Sequence, residues 1–249
     1  LGAMLNDAGR AEDALAILHE ALACARNIVA RDPPNLIYQD NLAATLSNMC
    51  ASLVALERNS DALPLTREMV ARYEQMIANG STEVRTQAGL AMGLSTLAAT
   101  LSAVGKHDEA LATARRAVAV QQTASGRDLA DLKMRDDFGY MHFRLASICL
   151  SAGRFAEAVT EYRTAVAVMD EILAKDAGNP QLVRKGERAQ WQAELGLALA
   201  KTGAHAEARE ELATAIAAID SAVKQGLPES IHKQTREKAE DALAKLAVQ

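Results

Sequence analysis

The sequence predicts an all-α chain: an α-α superhelix, or solenoid, of about five helix-pair repeats closed by a C-terminal capping helix. Three observations carry this prediction. A short segment recurs as GRAEDA at Gly9, ERNSDA at Glu57, GKHDEA at Gly105, GRFAEA at Gly153 and GAHAEA at Gly203, with spacings of 48, 48, 48 and 50 residues. Regular self-similarity of this length marks a stacked repeat array. Small and large apolar residues then occupy fixed columns around each recurrence. Finally, 49% of the residues are apolar but only 3% are aromatic, and there are 5 prolines, so alanine and leucine fill the interior and helix is favoured.

The columns describe two helices in close contact. Eight residues before the turn stand Leu1, Met49, Leu97, Leu145 and Leu195, and seven before stand the small residues Gly2, Cys50, Ala98, Ala146 and Gly196. Four before are Leu5, Leu53, Leu101, Cys149 and Leu199; five after are Ala14, Ala62, Ala110, Ala158 and Ala208. Twelve after stand Ala21, Met69, Ala117, Ala165 and Ala215. Small columns let antiparallel helices approach, and the large columns fill the space between them.

In chain order, residues 1–8 form the end of a first helix and 10–31 its partner. Asp32-Pro33 breaks the chain, because proline disfavours helix at the residue before it. Helices follow over 35–56, 60–78, 82–104, 106–124, 128–152, 154–175, 180–202 and 204–225. Asn79-Gly80, Ser125-Gly126 and Gly178-Asn179-Pro180 are the joints. The repeat array covers 1–226, with units near 1–31, 35–78, 82–124, 128–175 and 180–225. After Gly226-Leu227-Pro228 comes the capping helix of 228–249, with Ile231, Ala239, Ala242, Leu243 and Leu246 on one face. A polar-backed end of this kind hides the last apolar surface of an array. The start reads as cut from a longer parent and the end as native. Glu57 in place of the turn glycine predicts a joint that avoids left-handed backbone. Pro64 predicts a helix that starts late or bends there.

These columns resemble the tetratricopeptide repeat, with leucine then a small residue in the first helix, and alanine, a bulky residue and alanine in the second. The resemblance covers nearly the whole chain in five aligned copies. Two features depart from it: the usual unit has ~34 residues, and the family's first-helix tryptophan and tyrosine are mostly leucine and alanine here. The long unit and the Asp32-Pro33-Pro34-Asn35 joint resemble arrays attached to bacterial signalling proteins, Ser/Thr kinases among them.

The resemblance implies that the first helix of each pair lines a concave groove where partner segments bind. Turning each first helix away from its leucine column places Asn41, Ala44 and Asn48 there, then Arg85, Met92 and Thr96, then Asp137, Tyr140 and Arg144, then Glu187, Gln190 and Glu194. Phe143 is adjacent to this stripe, and either it or Tyr140 can instead pack against the next unit. Some family members grip carboxylate tails through paired lysines and asparagines. The corresponding face here has Ser47, Asn48 and Ala51, then Ser95, Thr96 and Ala99, so that specificity is not carried over.

Chemistry-bearing patterns are weak. His142 and Cys149 share a helix face, but both stand in leucine columns and lie two turns apart, about 10 Å at ~1.5 Å per residue. His19, His107, His142, His205 and His232 show no zinc spacing. Asp136-Asp137 and the Arg184-Lys185/Arg188 group read as solvated helix surface. Cys24, Cys50 and Cys149 read as three buried free thiols of a reducing compartment, hence a cytoplasmic chain. A net charge of −5 gives no basic footprint for nucleic acid, and no apolar run approaches the ~18 residues that span a bilayer. The expected function is a protein–protein interaction scaffold for a partner protein or peptide, in the non-catalytic part of a larger signalling protein. The alternative is a regulatory domain closing on a short peptide or small molecule. No enzyme activity, metal or cofactor is expected of this chain.

Overall fold

The two small columns nearest each turn reappear as buried packing in the computed structural model, which describes residues 1–7, 9–125, 131–175 and 181–247. Eleven helices are seen among these residues, with no strand: α1 (Gly2–Asp7), α2 (Ala11–Arg31), α3 (Leu36–Ala55), α4 (Asn59–Ala78), α5 (Val84–Ala103), α6 (His107–Ser125), α7 (Leu132–Ser151), α8 (Phe155–Lys175), α9 (Gln181–Thr202), α10 (His205–Lys224) and α11 (Glu229–Leu246). The expected joints at Gly126 and at Gly178-Asn179-Pro180 lie outside the described residues. The chain forms two compact units, Leu1–Ala124 and Ser125–Gln249.

In each unit, successive helices pack as antiparallel neighbours. The five column alanines, Ala14, Ala62, Ala110, Ala158 and Ala208, are all fully buried at 0% exposure. Their zero exposure reflects the close helix approach that the absence of larger side chains permits. At one such crossing, the Cys50 thiol of α3 points at the Ala62 carbonyl of α4, 3.9 Å away. In the first unit, Leu15, Leu18 and Leu22 of α2 meet Leu42, Leu46 and Leu53 of α3 and Met69 of α4 in one core. In the second unit, Ala165, Val166 and Met169 of α8 form a cluster with Trp191 of α9, against which Tyr140, Phe143 and Leu173 pack.

The turn between paired helices is the same hydrogen-bonded device each time. The amide of Gly105 donates to the Ser102 carbonyl at 3.0 Å, and that of Lys106 reaches the Leu101 carbonyl at 2.9 Å. Matching bonds occur at Gly9-Arg10, Gly153-Arg154 and Gly203-Ala204. This double bond pattern ends a helix with one left-handed residue and satisfies its last carbonyls. Glu57 keeps the pattern, with its amide on Val54 and that of Arg58 on Leu53, and so takes φ +57°. The expectation that glutamate would avoid left-handed backbone is therefore wrong. The two hydrogen bonds and the packing of the helix pair outweigh a cost of ~1–2 kcal/mol for a Cβ in that region.

Of the two expectations for Pro64, a late start or a bend, the late start is not what the structure has. α4 begins at Asn59 and runs through Pro64 with no delayed start. Proline conflicts with the carbonyl one turn back, that of Ser60, and both residues are exposed, so water can satisfy that group. Elsewhere the helix starts follow ordinary capping: the Asn35 side chain accepts from the amides of Ile37 and Tyr38, and Asp131 from those of Lys133 and Met134. Of the three thiols, Cys50 and Cys149 are buried but Cys24 is exposed. Cys24 follows the buried Leu22 by two residues, about 200° round a helix of 3.6 residues per turn, and so faces away from α3.

Candidate functional site

Within each unit the even-numbered helices tie to one another by charge. In the first unit Arg26 of α2 pairs with Glu68 of α4. Between α4 and α6, Arg67 meets Glu109 at 3.5 Å and Glu74 meets Arg116 at 2.7 Å. In the second unit Arg163 of α8 pairs with Glu207 of α10. These pairs line up the even-numbered helices on one side of each unit, and the odd-numbered helices are tied in the same way on the other, Arg85 of α5 to Asp40 of α3 and Arg184 of α9 to Asp136 of α7.

In the first unit that side is polar and sparse. Asn41 and Ala44 of α3 are exposed, Asn48 is half-buried, and the Asn48 carbonyl accepts from the Asn6 side chain at 3.0 Å. Arg85 at the start of α5 lies 80% exposed and reaches back to Asp40 of α3 at 2.9 Å. Met92 is exposed, and the Thr96 hydroxyl is turned onto its own helix, donating to the Met92 carbonyl.

The second unit has a more developed surface. On α7, Asp137 pairs with Lys133 at 3.0 Å, and the Arg144 guanidinium lies 5.7 Å from the centre of the Tyr140 ring, a cation–π distance. Asp137, Tyr140 and Arg144 are therefore consecutive turns of one stripe, each partly open to solvent. Phe143 points elsewhere. Its ring stacks on Trp191 of α9 at 5.4 Å and tilts against Tyr162 of α8 at 5.6 Å. It forms the inner end of an aromatic wall whose outer end is Tyr140, 6.4 Å away. The Tyr162 hydroxyl, 3.0 Å from Ser147, is buried, and burial raises its pKa. Trp191 closes this wall, and the sequence reading gives it no role, because no local pattern pairs it with Phe143.

Across from the stripe, α9 contributes Glu187, Gln190 and Glu194. Burial raises the pKa of Glu187, and the neighbouring carboxylate Asp136 raises it further, against the pull of Arg184. Burial also raises Glu194, which Lys238 of α11 partly offsets. Asp136 is raised by burial too, with Arg184 3.8 Å away pulling it down. The face thus holds partly desolvated carboxylates beside an aromatic ring and a guanidinium.

His142 does not pair with Cys149 as a nucleophile's base would; its Nδ1 lies 2.6 Å from a Glu161 carboxylate oxygen, joining α7 to α8. The pKa of the Cys50 thiol is pushed up to about 12 by burial, far from a reactive thiolate. Among the described residues no group of three or more His, Cys, Asp or Glu could hold a metal ion. No helix among them is long and apolar enough to cross a membrane.

Two family profiles, both described as tetratricopeptide repeat, match the chain, one over residues 1–35 and 90–128 and the other over 140–168. No curated protein matches its sequence. Among solved structures, BtubC (BKLC) from P. vanneervenii is similar with a TM-score of 0.63 and 17% identity, over 95% of this chain and 89% of that one. Nearly identical TPR-like repeats of a Podosopora anserina protein assigned as a kinesin light chain are similar at 20% identity and a TM-score of 0.61, over 91% and 94% of the two chains. A single-site variant of those repeats gives 0.63 and 19%, over 90% and 93%. At these identities the likeness establishes the fold: an all-α array of helix-pair repeats.

Proposed function

Because tetratricopeptide-repeat profiles match three stretches of the chain and its fold is an array of helix pairs, we propose that it works as a protein–protein interaction scaffold whose odd-numbered helices receive a segment of a partner. The observation that carries this reading is the Asp137, Tyr140 and Arg144 stripe of α7. It offers an acid, a supported aromatic ring and a base on one open helix face, across from Gln190 and Glu194 of α9. An extended segment can lay its amides along such polar groups while an apolar side chain rests on Tyr140. Aromatic and arginine residues concentrate binding energy at interfaces, since they bury much area at little entropic cost. Asn41 and Asn48 of α3 with Arg85 and Met92 of α5 form the corresponding face of the first unit. The long unit further supports a place in the non-catalytic, cytoplasmic part of a larger bacterial signalling protein such as a Ser/Thr kinase.

The test is a paired replacement, Tyr140→Ala with Arg144→Ala, in the full chain. Immobilised protein is used to capture partners from lysate, and circular dichroism is recorded in parallel. Captured bands should disappear while helicity stays at the wild-type level. Full capture by the double variant would move binding off this face, and a joint loss of capture and helicity would make the pair structural.

A further inference from the structure

We propose that a cleft between the C-terminal halves of α9 and α11 docks an acidic partner segment that carries an apolar side chain. The proposal rests on the scaffold reading and names the chemistry of its partner. The cleft encloses about 500 Å³ within the second unit. Its floor is apolar: Leu150 of α7, Leu197 of α9, and Ala242 and Leu246 of α11. Around it stand Lys201, Lys238 and Lys245, with Asp241 the one acidic residue of the lining.

Charge complementarity selects the occupant. The chain carries a net charge of −5, yet this lining holds three ammonium groups against one carboxylate. Most arginines of the chain are engaged by carboxylates, as Arg26, Arg67, Arg116 and Arg163 are. None of Lys201, Lys238 and Lys245 makes an ion pair or side-chain hydrogen bond among the described residues. Glu194 of α9 feels the charge of Lys238, and Asp241, one helical turn from both Lys238 and Lys245 on α11, is the one carboxylate set against the three ammonium groups of the lining. A basic segment would be repelled here, and a purely polar acidic one would leave the leucine floor wet.

The floor is also held in place. Leu246 is buried, and Arg209 of α10 donates a hydrogen bond of 2.9 Å to its carbonyl, fixing the end of α11. The small Ala242 leaves the gap open where a larger side chain would close it. An apolar side chain entering the gap displaces water from leucine surface, while the lysines orient the flanking carboxylates and hasten encounter.

Three sets of short labelled synthetic peptides test this against the full chain, read by fluorescence anisotropy. The first has a leucine or phenylalanine centre flanked by aspartate and glutamate. The second keeps the acids with serine at the centre, and the third keeps the apolar centre with lysine flanks. Only the first set should bind, and added salt should weaken it. Lys201→Glu with Lys245→Glu, both exposed, should weaken binding by about tenfold. Ala242→Leu, which fills the gap, should do the same while leaving helicity unchanged. Equal binding of the second or third set, unchanged affinity in both variants, or binding of dodecanoate without any peptide would overturn the cleft as a peptide site. Should the cleft fail while lysate capture persists and depends on Tyr140 and Arg144, the scaffold reading stands alone. If neither is seen, both fall.

Discussion

Replacing Ala158 by leucine is the sharpest perturbation of the packing. Ala158 has 0% exposure, and its equivalents Ala14, Ala62, Ala110 and Ala208 share that value. Leucine adds three carbons where the helices already touch, so α7 and α8 must separate or side chains must leave their rotamers. Overpacking of this kind costs ~1–3 kcal/mol. Taking about 2 kcal/mol, the melting midpoint should fall by roughly 4–8 °C for a chain of this size. Ala156→Leu supplies the control, since Ala156 is exposed on the same helix and should shift stability by no more than ~0.5 kcal/mol. Both variants are melted by circular dichroism alongside wild type. Equal midpoints for Ala158→Leu and Ala156→Leu would refute the assignment of the alanine column to the helix contact.

Further expectations concern single sites. Glu57→Gly should raise stability by about 1 kcal/mol in urea titration, because it removes a Cβ from φ +57°. Gly153→Ala should lower stability by a similar amount, although a Cβ there meets nothing within 4 Å, as the cost is conformational. Ellman's reagent should label Cys24 in the native protein, with Cys50 and Cys149 reacting only after unfolding; rapid native labelling of all three would contradict their burial. His232 is buried with neither ring nitrogen hydrogen-bonded, and burial lowers its pKa from 6.5. The unfolded chain therefore binds this proton more readily, so stability should fall as pH drops below about 6.5. The raised carboxylates Asp136, Glu187 and Glu194 act in the opposite sense, so the effect is read as the difference between wild type and His232→Gln.

Much of the fold is written in short-range pattern. The turn glycines mark where a left-handed residue closes the double hydrogen bond, and the small columns mark where helices cross. Both are fixed by spacing within about one repeat, and spacing is what a sequence displays directly. Glu57 was misleading because the same two bonds form whether or not the residue is glycine; only their sum against the strain decides, and that sum is invisible in residue type. Cys24 was misleading because an apolar stripe on α2 is wider than the surface its neighbours cover. The site is legible to a lesser degree. The stripe through Asp137, Tyr140 and Arg144 follows from helical spacing alone. That Phe143 turns inward onto Trp191, that His142 meets Glu161, and that three lysines from α9 and α11 surround one cleft all depend on contacts between helices. Such contacts link residues tens of positions apart and leave no periodic trace.

Hydrogen exchange of the chain with and without a captured partner tests the central claim most directly. Binding a segment along the odd-numbered helices should slow exchange in α7 and α9, including the turns carrying Tyr140 and Glu194, and leave α8 and α10 unchanged. Slowing confined to α8 and α10, where Arg163 and Glu207 pair, would place the partner on the opposite side and contradict the account.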